Sequence, residues 1–244
     1  MITKSIVIPC YNEQNTIVEI LNKVDKNINK NDEIIIVDDC STDKTKEILK
    51  LLNLNYENIK IFTHELNQGK GAALQTAFKE CKKDIILIQD ADLEYDPEDY
   101  QRLIIPFIET DADVVYGSRF LGGAKYIRIH FFWHYMANKL LTFFCNAFAN
   151  LNLTDMETGY KVFKKNALDG INLEQKSFGI EPELTLKFSQ KKLKFFEVPI
   201  SYNRRSYEQG KKIGLKDAFV AVFCIIKYCL RNIFYFKRKL KINN

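Results

Sequence analysis

Hydrophobic and polar positions fall into two alternating rhythms along the first half of the chain. Short runs dense in Ile and Val recur at 5–9, 33–37, 58–63, 84–89 and 113–116, and such runs read as strands. Between them, apolar residues recur at three- and four-residue intervals. Ile17, Leu21, Val24 and Ile28 form one such stripe, the mark of an amphipathic helix, with Asn12 as its expected N-cap. Further helices are expected at about 42–52, 69–81 and 97–108. Strands apolar on both faces and alternating with helices indicate an α/β protein with a mostly parallel sheet covered on two sides. Ligands bind such sheets beyond the carboxyl ends of the strands, so the chemistry is expected just after each strand.

The segments at those places are rich in carboxylates and poor in glycine. Pro9-Cys10-Tyr11-Asn12-Glu13 follows the first strand, Asp38-Asp39-Cys40-Ser41-Thr42-Asp43 the second, Asp90-Ala91-Asp92-Leu93-Glu94 the fourth and Gly117-Ser118-Arg119 the fifth. Neither G-x-G-x-x-G nor the Walker A pattern occurs, which excludes the usual dinucleotide and P-loop sites. In extended chain, side chains two residues apart point the same way. Asp90 and Asp92 are therefore expected to reach one cation, with Glu94 in register as a third metal ligand. Oxygen ligands of this kind suit Mg²⁺ or Mn²⁺, which bind one or two carboxylates plus substrate phosphates. The plain alternative is an acidic turn capping the helix that starts near Pro97. Asp38 and Asp39 have a similar alternative, an Asx-type turn with Ser41 as helix cap. His64, His130 and His134 have no carboxylate or Cys at ligand spacing and are given structural or interfacial roles.

Taken in order, these segments resemble the family 2 glycosyltransferases. The likeness includes Asn67-Gln68-Gly69-Lys70-Gly71-Ala72-Ala73, Thr154-Asp155-x-x-Thr158-Gly159-Tyr160-Lys161, and Glu197-Val198-Pro199-Ile200-Ser201-Tyr202 followed by Arg205 and Lys211. It covers roughly residues 4 to 216, and the last set is similar to the polyprenyl-phosphate branch, the dolichol-phosphate mannose and glucose synthases. The resemblance implies a GT-A nucleotide-sugar-binding fold and particular roles. Pro9, Tyr11 and Glu13 hold the base and ribose. Val37 and Asp39 close over the base, where the carboxylate accepts from a ring N–H. Asp90, Ala91 and Asp92 form the ribose and metal-diphosphate site, and Glu94 matches a variable metal-ligand position. Lys70 lies in the donor-binding set, and Arg119, Arg205 and Lys211 contact phosphates of donor or acceptor. Cys10 and Cys40 depart from the residues common in relatives, and Cys40 leaves the geometry of its turn open.

Charge and hydropathy add the membrane. The net charge of +5 conceals an asymmetry: residues 1–186 carry 21 basic and 28 acidic side chains, and residues 187–244 carry 15 basic and 3 acidic. Residues 129–153 are crowded with aromatics and hold Lys139 as their one full charge, which suits a helix lying in a membrane interface. A second apolar stripe at 218–236, interrupted by Lys227 and Arg231, leads into Lys237-Arg238-Lys239-Leu240-Lys241. Basic residues beside an anionic leaflet contribute about 1 kcal/mol each. The alternative is an ordinary core helix with a basic tail. No uncharged apolar run reaches the roughly 18–20 residues of a spanning helix. The N-terminus reads as a strand, not a signal peptide, and six scattered cysteines fit a reduced compartment. The expected organisation is a GT-A catalytic domain over 1–212, with the interfacial region 128–153 inside it, and an amphipathic helix with basic tail over 213–244. The expected location is cytoplasmic, peripheral on the cytoplasmic face, with a separate small membrane-anchoring partner as a further option. No nucleic-acid partner is expected.

The chemistry expected from these parts is inverting transfer of a sugar from a GDP-mannose- or UDP-glucose-type donor to a polyprenyl phosphate. A phosphate acceptor is already anionic and needs cations rather than a strong base, a task given to Arg128, Arg205 and Lys211. Asp92 and the metal face the leaving diphosphate. Asp155 stands where hydroxyl-using relatives place their base and is expected here to orient acceptor or sugar. Two rivals stay open: transfer to a saccharide or protein hydroxyl with Asp155 as base, and a nonenzymatic nucleotide-sugar-binding scaffold.

Overall fold

A computed structural model describes residues 2–52, 58–123, 131–203 and 222–228. The strands are β1 (Lys4–Cys10), β2 (Glu33–Asp38), β3 (Ile59–Thr63), β4 (Ile85–Ile88), β5 (Val114–Ser118), β6 (Lys161–Lys164) and β7 (Phe195–Pro199). The helices are α1 (Ile17–Lys26), α2 (Thr45–Leu52), α3 (Lys70–Glu80), α4 (Tyr100–Glu109), α5 (Phe132–Ala149) and α6 (Ile180–Gln190). The strands form one sheet in the order β3-β2-β1-β4-β6-β5-β7.

Strand alternation divides the core into two layers, as a period of two requires. Ile6, Ile8, Ile34 and Ile36 face α1 and α4, meeting Ile17, Leu21, Val24 and Leu103. Val7, Ile35 and Val37 face the other way, against Ala73, Leu74 and Ala77 of α3 and Ile180, Leu184 and Phe188 of α6. Both faces of the sheet are thus covered, and all six residues of β2 are buried.

Most neighbouring strands are parallel, but β6 runs antiparallel to both β4 and β5. The reversal has a consequence for the site. Tyr116 near the end of β5 pairs with Lys161 at the start of β6. The loop entering β6, residues 154–160, is thereby delivered to the edge where the parallel strands present their carboxyl ends.

Two helix starts differ from the expectation. Asn12 does not cap α1: the residue before that helix is Thr16, and Asn12 sits in the left-handed region at φ 54°. Asn12 instead joins two loops, accepting the Thr42 N–H at 2.8 Å and donating its own backbone N–H to the Ser41 hydroxyl at 2.9 Å. The helix expected at 97–108 begins as a 3-10 turn, Pro97–Asp99, capped by Asp96, which accepts the Glu98 N–H at 3.2 Å. Asp96 does the capping that the plain alternative assigned to Asp90 and Asp92.

The aromatic region is helical, as α5. Its inner side buries Leu141, Thr142, Cys145 and Ala149. Residues 222–228 are also helical, and Cys224, Ile225 and Tyr228 pack into the same cluster as Leu141, Cys145 and Leu186. Trp133, 79% exposed, heads an outward row with Phe132, Met136, Leu140 and Phe143, beside exposed Phe223 and Ile226. No helix of the described residues is long and apolar enough to cross a membrane.

Candidate active site at the carboxyl ends of the strands

The segments after β1 and β2 are knitted to each other. The Glu13 N–H donates to the Thr45 hydroxyl at 2.9 Å, and the Glu13 carboxylate accepts from the Thr16 hydroxyl at 2.7 Å. Ser41 donates to Asp38. Val37 and Asp39 are buried beside them. Asp39 accepts from His64 Nδ1 at 2.7 Å and from the N–H groups of Gln68 and Gly69 at 3.0 and 2.6 Å. His64 thus has a carboxylate partner in space that its sequence spacing did not reveal. The Asp39 carboxylate ties the 67–69 loop to the end of β2. Gly69 at φ +96° lets that loop turn into α3, and a side chain on Gly69 would meet the Lys176 carbonyl at 2.5 Å.

At the end of β4 the expected three-carboxylate register is broken. Residues 91–92 turn and Leu93 is left-handed at φ 56°, so Glu94 leaves the line of Asp90 and Asp92. The Glu94 carboxylate accepts the Tyr202 hydroxyl at 2.7 Å, and the Glu94 N–H donates to Asp92 Oδ1 at 3.1 Å. Among the described residues, no group of three His, Cys, Asp or Glu side chains is placed to hold a metal ion. The chain was expected to stay extended here, and the turn overrides that periodicity. Asp90 lies 2.8 Å from Lys70 Nζ, and its other oxygen rests against Gly159, where no Cβ fits. Burial disfavours the Lys70 charge, but Asp90 and Glu181 outweigh it and raise the ammonium well above its ordinary range.

The end of β5 carries a bidentate ion pair. Arg119 Nε and Nη2 donate to Asp155 Oδ2 and Oδ1 at 2.6 and 2.7 Å. The Arg119 N–H and Asn138 Nδ2 add bonds of 3.1 and 3.2 Å to the same carboxylate. Asp155 is 0% exposed. Burial alone would raise its pKa, yet the guanidinium prevails and holds it below the ordinary carboxylate range. A sealed, ionised carboxylate with four donors is a poor general base; it aims Arg119, whose guanidinium lies 5.1 Å from the centre of the Tyr202 ring. Asp155, expected to orient acceptor or sugar and to be the base in the hydroxyl-acceptor alternative, here has its carboxylate engaged by Arg119 and Asn138.

Several residues of this rim had no role assigned from sequence. Glu197 accepts the N–H groups of Thr154 and Asp155 at 2.8 and 3.2 Å, fixing the loop into β6. Tyr95 accepts the Gly159 N–H at 2.8 Å. Lys161 and Glu181 form a buried pair at 2.5 Å. Glu197, Tyr202 and Lys161 stood inside the quoted motifs, so position was available as a signal. Glu181 had none beyond being an acid in the first turn of a helix. Arg128, Arg205 and Lys211 lie outside the described residues, as does most of 213–244.

A mostly parallel seven-stranded sheet flanked by helices on both faces is the fold of the GT-A glycosyltransferases. The fold superposes on glucosyl-3-phosphoglycerate synthase from Mycobacterium tuberculosis, solved with Mn²⁺, UDP and glucosyl-3-phosphoglycerate, with a TM-score of 0.71 at 17% identity over 93% of this chain and 80% of that one. The chain belongs to glycosyl transferase family 2, whose model matches residues 5–171. It is 29% identical to a dolichol-phosphate mannosyltransferase of Pyrococcus furiosus over 86% of its own length and 59% of the relative's. It is 30% identical to the UDP-N-acetylglucosamine–dolichyl-phosphate N-acetylglucosaminyltransferase of Methanococcus voltae, over 85% of this chain and 89% of that one.

Proposed function

We propose that the chain transfers a sugar from a nucleoside-diphosphate sugar to a polyprenyl phosphate at a membrane surface, with inversion at the anomeric carbon. The observation that carries this reading is the join between two unlike surfaces. Asn138 of α5 bonds to the Asp155 that aims Arg119, while the outer side of the same helix exposes Phe132, Trp133, Leu140 and Phe143. A contiguous exposed apolar row of this size marks an interaction site, and Trp and Phe beside cationic residues favour a lipid interface. The relatives' names add the acceptor class: both act on dolichyl phosphate. They also differ in the sugar transferred, mannosyl against N-acetylglucosaminyl, so the reading is of a donor class and leaves sugar and base unassigned.

The donor's base and ribose lie against Pro9, Tyr11, Glu13, Val37 and Asp39, and its diphosphate lies along Asp90, Ala91, Asp92 and Lys70. Asp90 and Asp92 offer only oxygen donors, a set that fits Mg²⁺ or Mn²⁺ completed by phosphate oxygens and water. That cation, when bound, neutralises charge developing on the departing diphosphate. Arg119, held by Asp155, adds a fixed positive charge at the same edge. The acceptor phosphate brings its own nucleophilic oxygen, so no side chain has to remove a proton from it. This agrees with an Asp155 unavailable as a base and disfavours the hydroxyl-acceptor alternative. Arg128, Arg205 and Lys211 are proposed to steer the acceptor phosphate, and the basic segment beyond residue 228 to hold the protein on the cytoplasmic leaflet.

The test is incubation of the chain with Mn²⁺, a panel of GDP- and UDP-sugars and a short polyprenyl phosphate. A lipid-linked sugar formed only with the metal is the expected product. Transfer to a free saccharide instead, or donor binding with no turnover on any acceptor, overturns the proposal.

A further inference from the structure

Behind the proposed donor site stands a ladder of alternating charges. Glu181, the second residue of α6, is 3% exposed. One of its oxygens lies 3.0 Å from Lys70 Nζ, the same ammonium that lies 2.8 Å from Asp90. Its other oxygen lies 2.5 Å from Lys161 Nζ. Lys161 is fully buried and also donates to the carbonyls of Met156 and Thr158, at 2.9 and 2.5 Å. One carboxylate is therefore fastened on one side to the cation beside Asp90. On the other side it is fastened to the loop whose Asp155 grips Arg119 and whose Gly159 packs against Asp90.

Neutralising a single buried lysine does not require this arrangement. As a source of stability, desolvated charges gain little over apolar side chains of the same volume. What the ladder fixes is position. With Glu181 present, Lys70 is shared between two anions, and Asp90 keeps part of its charge for a second cation. Without the Glu181 charge, Lys70 turns wholly onto Asp90 and competes there with a divalent ion, while Lys161 loses the anion that anchors its loop.

We propose that Glu181 is a positioning residue for the donor diphosphate, setting Lys70 against Asp90 and, through Lys161, keeping the Asp155–Arg119 pair at a fixed spacing from that carboxylate. The inference rests on the donor site proposed above. It is tested by calorimetric titration of the full chain with Mn²⁺ and UDP, and separately with Mn²⁺ and GDP, for wild type, Glu181→Gln, Lys70→Gln and the Glu181→Gln/Lys70→Gln pair, each checked by thermal melting. The expected result is about tenfold weaker Mn²⁺-dependent nucleotide binding in Glu181→Gln. The further Glu181→Gln loss in the Lys70→Gln background is expected to be much smaller, because the two side chains act through one contact. Glu181→Gln/Lys161→Met removes both charges of the buried pair together and serves if Glu181→Gln does not fold; the same weakening is expected. A folded variant with a lowered Tm but nucleotide affinity within twofold of wild type makes Glu181 a structural residue only and overturns the inference. A wild type that binds neither nucleotide overturns the donor reading first and this inference with it.

Discussion

The rim of the sheet and the outer side of α5 are adjacent, yet they are built on opposite principles. At the rim, polar side chains are fixed by several partners each: Asp155 has four donors on its carboxylate, and Glu197 accepts from two backbone N–H groups. On α5, Phe132, Trp133 and Phe143 face outward, each more than 60% exposed. The rim is preorganised for a ligand of defined geometry, since a network satisfied in advance needs no rearrangement when charge develops. The aromatic row defines no geometry and can accept any apolar medium that removes it from water. A water-soluble donor calls for the first kind of surface and a lipid for the second. Asn138 and Lys139 of α5 belong to both, bonding to Asp155 and to the Thr154 carbonyl at 3.2 and 3.0 Å.

The comparison breaks most sharply if rim substitutions do not impair chemistry. Asp92→Ala is expected to abolish metal-dependent transfer, assayed as radiolabelled sugar entering the lipid phase; wild-type activity in that variant removes Asp92 from the site. Asp155→Asn leaves the Arg119 guanidinium buried without a charge partner, which costs about 3–5 kcal/mol of stability. Its transfer rate is expected to fall about a hundredfold. Urea melts and initial rates on the same preparation check both numbers, and a normal rate in a destabilised protein would make the pair purely structural.

The two regions also differ in how far the sequence revealed them. The run at 5–9 was legible as a strand apolar on both faces, and the structure divides Ile6 and Ile8 from Val7 between the two core layers as a period of two demands. The aromatics of α5 were legible as a group because they surround the helix, more than its one inward side of Leu141, Cys145 and Ala149 can bury. The rim was legible as an ensemble of residue types but not as contacts. Arg119 and Asp155 were both singled out, yet only the antiparallel insertion of β6 brings the 154–160 loop to the end of β5. The extended register expected from Asp90 to Glu94 is not kept for a local reason, because Leu93 turns the chain in the left-handed region. Glu181 left no trace, since its partners Lys70 and Lys161, and the Asp90 that shares Lys70 with it, are all distant in sequence.

The aromatic row gives a milder test. Trp133→Ser with Phe143→Ser removes two large exposed apolar side chains that make no packing contribution to the core clusters. Each inserted aromatic is worth about 1.5–3 kcal/mol when fully removed from water, so partial insertion of two implies a loss of at least tenfold in vesicle binding. Cosedimentation with vesicles containing anionic lipid measures it. Titration with Mn²⁺ and nucleotide, in the absence of vesicles, is expected to be unchanged. Parallel loss of both would mean that the two regions are one structural unit, contrary to the division drawn above.

The smallest effect sharpens the boundary between the regions. Glu157 lies in the loop between Asp155 and Gly159, with one carboxyl oxygen sealed from solvent and without a hydrogen-bond partner among the described residues. Burial pushes its pKa up to about 7, against the pull of Lys161. A carboxyl whose folded pKa is raised favours the folded state in its protonated form, so its contribution is fully present below the unfolded value near 4.5 and is lost as pH rises to about 7. Stability is therefore expected to decline across that window, and Glu157→Gln, which cannot ionise, is expected to flatten the decline. The Tm difference between variant and wild type should grow in the variant's favour from pH 5 to pH 8, as read by thermal melting at fixed ionic strength. A variant whose melting curve tracks wild type in parallel across that range would place the Glu157 carboxyl in contact with water and leave the loop without its one uncompensated acid.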